Sequence, residues 1–134
     1  ANTVGTRANN FTIATLNGAN NISIAAFAKA NSLSSLPAVG AKTSSYILAT
    51  EDVGKYVEVG SGGSITIPNA TFAAGDVISI FNNTTGAITI TCSITTAYIA
   101  GVDSDKATVS LGTRGVATIL FISGTVCVIT GNIT

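Results

Sequence analysis

Several groups of residues in this sequence have types and spacings from which chemistry could be built. Asp103-Ser104-Asp105 places two carboxylates at alternate positions, as a calcium loop begins. The Gly and closing Glu of a helix–loop–helix calcium site are missing, so the stretch reads as a solvated loop. Glu51, Asp52 and Glu58 are the carboxylates that could serve as an acid and base for sugar hydrolysis. Nothing in the sequence brings them together, and Asp52 before Gly54 suits turn formation. Gly60-Ser61-Gly62-Gly63 has the look of a phosphate-binding loop, but it precedes a strand and no Lys follows. A phosphate cradle needs a helix N-terminus, so this is read as a hairpin loop. Serines are plentiful, yet there is no Gly-x-Ser-x-Gly elbow and no His to act as base. Tyr46, Tyr56 and Tyr98 could stack on sugar rings; core or rim packing is their commoner use. The sequence therefore assigns no catalytic residue, no metal ligand and no cofactor.

The composition points the same way. The 134 residues carry six basic and six acidic side chains and no His, Met or Trp. Charged residues make up 9% of the chain, against about 25% in ordinary globular proteins. A neutral chain this poor in Lys and Arg has no electrostatic footprint for nucleic acid or an anionic membrane. No apolar run is long enough to span a bilayer as a helix. The opening residues, Ala1 to Arg7, are polar and lack the basic-then-apolar pattern of a signal peptide. Cys92 and Cys127 are a single pair without metal spacing. Cys92 shares its parity with Ile88, Ile90 and Ile94 and is expected to be a small buried hydrophobe with a free thiol.

The elements that must position these residues are strands. Ile, Val and Thr dominate, and their branched Cβ atoms suit a pleated sheet better than a helix. From Ser45 onward, short alternating runs are separated by turn signals. They are Tyr46–Leu48, Lys55–Val59, Ser64–Ile67, Asp76–Asn82, Ala87–Ile94, Tyr98–Ala100, Ala107–Leu111, Val116–Ile122 and Thr125–Ile129. That spacing predicts an all-β fold, an antiparallel β-sandwich or small barrel. Residues 1–44 read as an extended N-terminal arm. Within it Phe11–Leu16 alternates like a strand, Asn17–Asn21 signals a turn, and the alanine run allows a short helix near 24–33. Ser32–Gly40, with Pro37, reads as a linker.

Two strands are apolar on both faces. Asp76–Phe81 sets Ile78 and Ile80 against Val77 and Phe81, and Val116–Ile122 likewise carries large apolar groups on both faces. A sandwich of this size normally wets one face of each sheet, so a second burial partner is expected. Val77, Phe81, Ile119 and Phe121 are the candidate oligomer interface. Asn82, Asn83, Thr84, Asp103 and Asp105 are the candidate exposed loop contacts.

The ordered strings Asp52-Val53-Gly54-Lys55-Tyr56, Ser61-Gly62-Gly63-Ser64-Ile65-Thr66-Ile67-Pro68 and Gly75-Asp76-Val77-Ile78-Ser79-Ile80-Phe81-Asn82-Asn83 carry a family likeness. So do Ala87–Ile90, Arg114–Thr118 and Val128–Gly131. Residues 45–134 resemble a β-structured module at the C-terminal end of many tailed-bacteriophage virion proteins. The resemblance implies a non-enzymatic virion component and transfers no catalytic residue. On that likeness the chain is expected to be a capsid decoration (cement) protein, a homotrimer seated on the major capsid protein. It would lie on the virion surface after assembly in the host cytoplasm. The alternative is a tail-fibre or head-fibre tip module that adheres to host glycan.

Overall fold

A computed structural model describes residues 36–134. Alternating Ile, Val and Thr give ten strands in chain order: β1 Ala38–Lys42, β2 Ser45–Ile47, β3 Tyr56–Val59, β4 Ser64–Ile67, β5 Val77–Asn82, β6 Ile88–Cys92, β7 Thr96–Ile99, β8 Thr108–Leu111, β9 Val116–Phe121 and β10 Val126–Gly131. One 3-10 turn, Thr50–Asp52, lies between β2 and β3. The strands form two sheets, β1-β3-β5-β9-β10-β7 and β2-β4-β6-β8. The inward side chains of both sheets belong to one apolar cluster. The all-β fold expected from composition is therefore what the chain adopts.

Strand direction differs from the expectation of an antiparallel sandwich. β1, β3 and β5 run parallel to one another in the first sheet, and β2, β4 and β6 do so in the second. β9 joins β5 antiparallel, β10 joins β9 antiparallel, β8 joins β6 antiparallel, and β7 lies parallel to β10 at the edge. From β1 to β6 the chain changes sheet at every connection. Each strand then lies beside the strand two earlier and points the same way. These are three stacked rungs, β1/β2, β3/β4 and β5/β6, closed by an antiparallel cap. A two-residue period reports which face is buried but not which neighbour is paired, so alternation alone could not distinguish this arrangement from hairpins. The Gly60–Gly63 loop is accordingly a crossover between sheets, not a hairpin. The hairpin expected at the C-terminal end is present as β9–β10.

Rung stacking makes ladders of like residues. Inside the first sheet, Val39, Val57, Ile80 and Ala117 pair in register, as do Ile78, Ile119, Ile129 and Ile99. Inside the second, Tyr46, Ile65, Ile90 and Val109 line up. Phe72, from the β4–β5 connection, stacks on Phe121 with ring centroids 4.2 Å apart and closes the core there. Each fully buried Ile contributes about 1.5–3 kcal/mol relative to exposure, which makes these ladders the main source of stability.

The module also starts earlier than Ser45. β1 pairs with β3 through Ala38, Val39 and Lys42, so residues read as a linker form an edge strand. Val39 is the one large apolar residue in Ala38–Lys42, which leaves no alternation to read. By contact density the chain divides at Leu36/Pro37. The strand expected at 11–16, the turn at 17–21 and the helix near 24–33 lie outside the described residues.

Of two crossover glycines, Gly63 is fixed by its surroundings and Gly86 is not. A Cβ on Gly63 would lie 2.2 Å from the Lys42 carbonyl oxygen and 2.7 Å from Val59 Cγ1. One on Gly86 would meet nothing within 4 Å. Gly63→Ala is expected to destabilise the fold by about 1–3 kcal/mol, the usual range for overpacking. Gly86→Ala should leave the midpoint of urea unfolding nearly unchanged. Equal midpoints for the two variants would contradict the rung packing.

Candidate functional site

The polar side chains singled out in the sequence are mostly occupied in holding turns. Asn82 ends β5 with its side chain directed inward and fully buried. Its Nδ2 donates to the carbonyls of Gly86 (2.8 Å), Gly112 (2.8 Å) and Leu111 (3.1 Å). Its Oδ1 accepts from the Thr84 amide (3.0 Å) and hydroxyl (2.7 Å). A buried amide needs such partners, because each bond left unmade costs about 1–3 kcal/mol. Asn82 is thus a structural pin and not the exposed loop contact expected. Parity could have shown this, since Asn82 shares its side of β5 with Ile78 and Ile80.

Its neighbours do reach the surface. Asn83 is exposed, donates from Nδ2 to Glu58 Oε2 at 2.7 Å and accepts from Arg114. Thr84 is half-buried and its hydroxyl is taken up within the turn. Arg114 stands at φ +53°, in the left-handed region that favours glycine, at the third position of the Gly112–Gly115 turn. Thr113 of that turn donates to the Thr84 carbonyl at 3.0 Å. The β5–β6 and β8–β9 connections therefore form one stitched corner.

Asp103 and Asp105 are both exposed, as expected, but Asp105 is engaged within the chain. Asp105 Oδ1 accepts from the Ala97 amide at 2.8 Å, and the Lys106 amide donates to the Ala97 carbonyl. Together they cover the outer edge of β7, a strand edge that would otherwise offer pairing groups to another chain. Among the described residues there is no group of three or more His, Cys, Asp or Glu arranged to hold a metal.

The three carboxylates weighed for sugar hydrolysis serve separate ends. Asp52 is 2% exposed. Its carboxylate accepts from the Tyr46 hydroxyl, 2.8 Å from Oδ2 and 3.1 Å from Oδ1, and from the Ala49 amide at 2.8 Å. Glu58 projects from the other face of β3 and binds Asn83. Glu51 is exposed. Burial first, then the Asp52 carboxylate that accepts its proton, push the Tyr46 hydroxyl up to about 12. Lys42 Nζ lies 4.2 Å from the centre of the Tyr46 ring, on its face. The tyrosines do not gather into a sugar platform. Tyr46 is in the second sheet, while Tyr56 and Tyr98 lie on opposite flanks of the first, separated by β5, β9 and β10.

Among the described residues, two surface features stand out. One is an open groove of about 440 Å³ between the Gly60–Gly63 and Asn83–Ala87 crossovers. Its walls present Ser61, Ser64, Thr84, Thr85 and Thr89 with backbone glycines, and no charged or aromatic side chain. The other is the outer face of the first sheet. Val77, Val116, Leu120 and Ile122 are there 37–49% exposed, and Phe81 is half-buried beside them. Of the expected interface residues, Val77 and Phe81 stand on this face. Ile119 and Phe121 do not: both are 0% exposed and packed in the core, because they alternate with Leu120. Leu120 and Ile122, missed in the sequence, take their place.

Compared with family models, with curated proteins and with solved structures, the chain finds no match.

Cys92 and Cys127 are free and buried. Burial raises them from an ordinary 9.0 to about 11 and about 12, with smaller contributions from Asp105 for both and from Cys92 for Cys127. Groups whose pKa is raised by folding add stability below the unfolded value and lose it as pH rises through the folded one. With Tyr46, raised from 10.0 to about 12, they should make the fold labile between about pH 9 and 12. Urea midpoints should be flat from pH 7 to about 9 and fall above that, and a thiol reagent should label neither cysteine before unfolding. Separately, Asn82→Ala should cost about 3 kcal/mol by removing the donor to the buried Leu111 carbonyl and the acceptor for the Thr84 amide, and Asn82→Asp more, since a carboxylate would face the carbonyls. Wild-type urea midpoints in either variant would show that the pin bears no load.

Proposed function

We propose that this chain is a non-enzymatic structural protein of a tailed-bacteriophage virion, acting as a capsid decoration protein that binds the assembled shell. The observation that carries the reading is where the residues of the resemblance sit. Asp52, Gly63 and Asn82 each hold a turn or a crossover of the rung stack. The shared pattern thus encodes a scaffold rather than a reaction centre. That fits a module whose work is to occupy a surface. A wet shell neighbour needs polar, weakly charged contacts, and the Thr-, Ser- and Asn-rich loops supply them. Mechanistically, a chain that binds the closed shell and not its dissociated subunits stabilises the shell by mass action.

The groove favours a second reading, adhesion to host glycan at a fibre tip. Hydroxyls and backbone groups without charge suit neutral sugars, although the groove lacks the aromatic platform that strong sugar sites use. The two readings differ in location and in the effect of filling the groove.

Gold-labelled antibody against this chain should decorate the head of intact particles evenly. The purified chain should also co-sediment with mature shells stripped of it and not with free capsid subunits. Thr85→Trp, which fills the groove, should leave shell binding unchanged. Label confined to a tail or fibre end, with cell binding abolished by Thr85→Trp, would overturn the decoration reading in favour of adhesion.

A further inference from the structure

The outer face of the first sheet is apolar in a way that its own chemistry does not require. Strand register sets Val77, Leu120, Val128 and Tyr98 in one row across β5, β9, β10 and β7. Ile122 lies beyond this row, its amide bonded to Val126, and Val116 pairs with Phe81 on the far side. No outward position on these four strands is Asp, Glu, Lys or Arg. The polar groups at the middle of the face are turned on each other, Ser79 Oγ lying 3.2 Å from Thr118 Oγ1.

We infer that this face is covered by a second copy of the same chain, packed sheet to sheet about a two-fold axis near Leu120. Three points choose that occupant. First, the size fits. Four strands about 4.8 Å apart and about six residues long make a footprint of about 20 by 20 Å. Two such faces in contact remove on the order of 1,000 Å² from water, the lower bound for a specific pair. Second, the charge fits. The four strands β5, β9, β10 and β7 present no charge and meet their own copy without repulsion, Glu58 of β3 standing at the margin beside Phe81, whereas a different partner is usually selected by complementary charge. Third, the number of patches fits a two-fold pair. A two-fold contact uses one patch twice, while a ring of three needs two different patches that match. Of the other exposed large apolar side chains, Ile47 belongs to β2 in the second sheet and Val102 to the β7–β8 connection, so neither is on these strands. The pair therefore replaces the homotrimer expected alongside the family likeness. Sheets packed in this way lie about 10 Å apart with strands about 30° from parallel.

The inference is independent of the virion reading, because its test needs no particle. Analytical ultracentrifugation of the full chain at micromolar concentration should give a dimer. Leu120→Arg should weaken the dimer by roughly 30-fold or more, as for a central contact. Val128→Lys should act in the same direction and serves if Leu120→Arg does not fold. Ile47→Arg, at a 61% exposed position in the second sheet, should leave the dimer intact. Circular dichroism identical to wild type would show that each variant keeps its fold. A monomer, whether its face is open or shielded by residues 1–35, overturns the inference. So does a trimer, and so does a dimer that both face variants leave unchanged.

Discussion

Much of this fold depends on one buried amide. The side chain of Asn82 joins the crossover that ends the last parallel rung to the turn that begins the antiparallel cap. Without it, the Leu111 carbonyl would lose its side-chain donor, the Thr84 amide its acceptor, and the two connections the link between them. Backbone groups inside a sheet are satisfied by the ladder, but groups at a crossover between sheets are not. A chain that changes sheet at every connection but the β9–β10 hairpin must therefore supply side-chain donors and acceptors at its corners. Asn69 does this for Thr95, Asp76 for Ala73, Asp105 for Ala97 and Asn132 for Val116. The abundance of Asn, Ser and Thr is in part the chemical consequence of the topology.

This explains what could be read in the sequence and what could not. Strand positions were legible to within a residue or two, because Ile-x-Ile and Val-x-Val runs bounded by glycine admit one local conformation. Cys92 was legible as core by parity with its neighbours. Pairing direction was not legible, since parallel and antiparallel strands share a period of two. β1 was not legible because an edge strand of Ala and Gly has no hydrophobic signal. Of the four residues read as an interface, Val77 and Phe81 stand on the outer face, whereas Ile119 and Phe121 alternate with Leu120 and face the core. Asn82 looked like a loop residue because it adjoins Asn83 and Thr84, yet its own parity places it inside.

The two ends of the strand order show how the fold limits unwanted pairing. β7 closes one edge of the first sheet and is covered by Asp105 and Lys106. β8 closes one edge of the second and is covered by Asn132–Thr134, through Ser110, Gly112 and the Leu111–Ile133 bridge. Both edges that follow the cap are thus occupied by the chain's own backbone or carboxylate. Edge pairing is suppressed there, while the outer face of the same sheet is left apolar. An apolar face beside a protected edge would permit packing on the face without growth of the sheet.

That division bears on function. In a protein with 9% charged residues, recognition cannot rest on long-range steering. It must rest on shape, apolar area and short-range hydrogen bonds. The polar side chains most visible in the sequence are occupied in holding corners and have little left to offer a ligand. What remains is an apolar face that alternation exposes and a groove of hydroxyls between two crossovers. Neither includes Asp52 or Asn82, the residues most firmly built into the framework. Chemistry-first reading looked to the loops for activity because their residue types are reactive in other settings. In this chain those residues are the framework, and the large apolar groups left exposed fall at positions that look ordinary in the sequence, Leu120 and Ile122 among them.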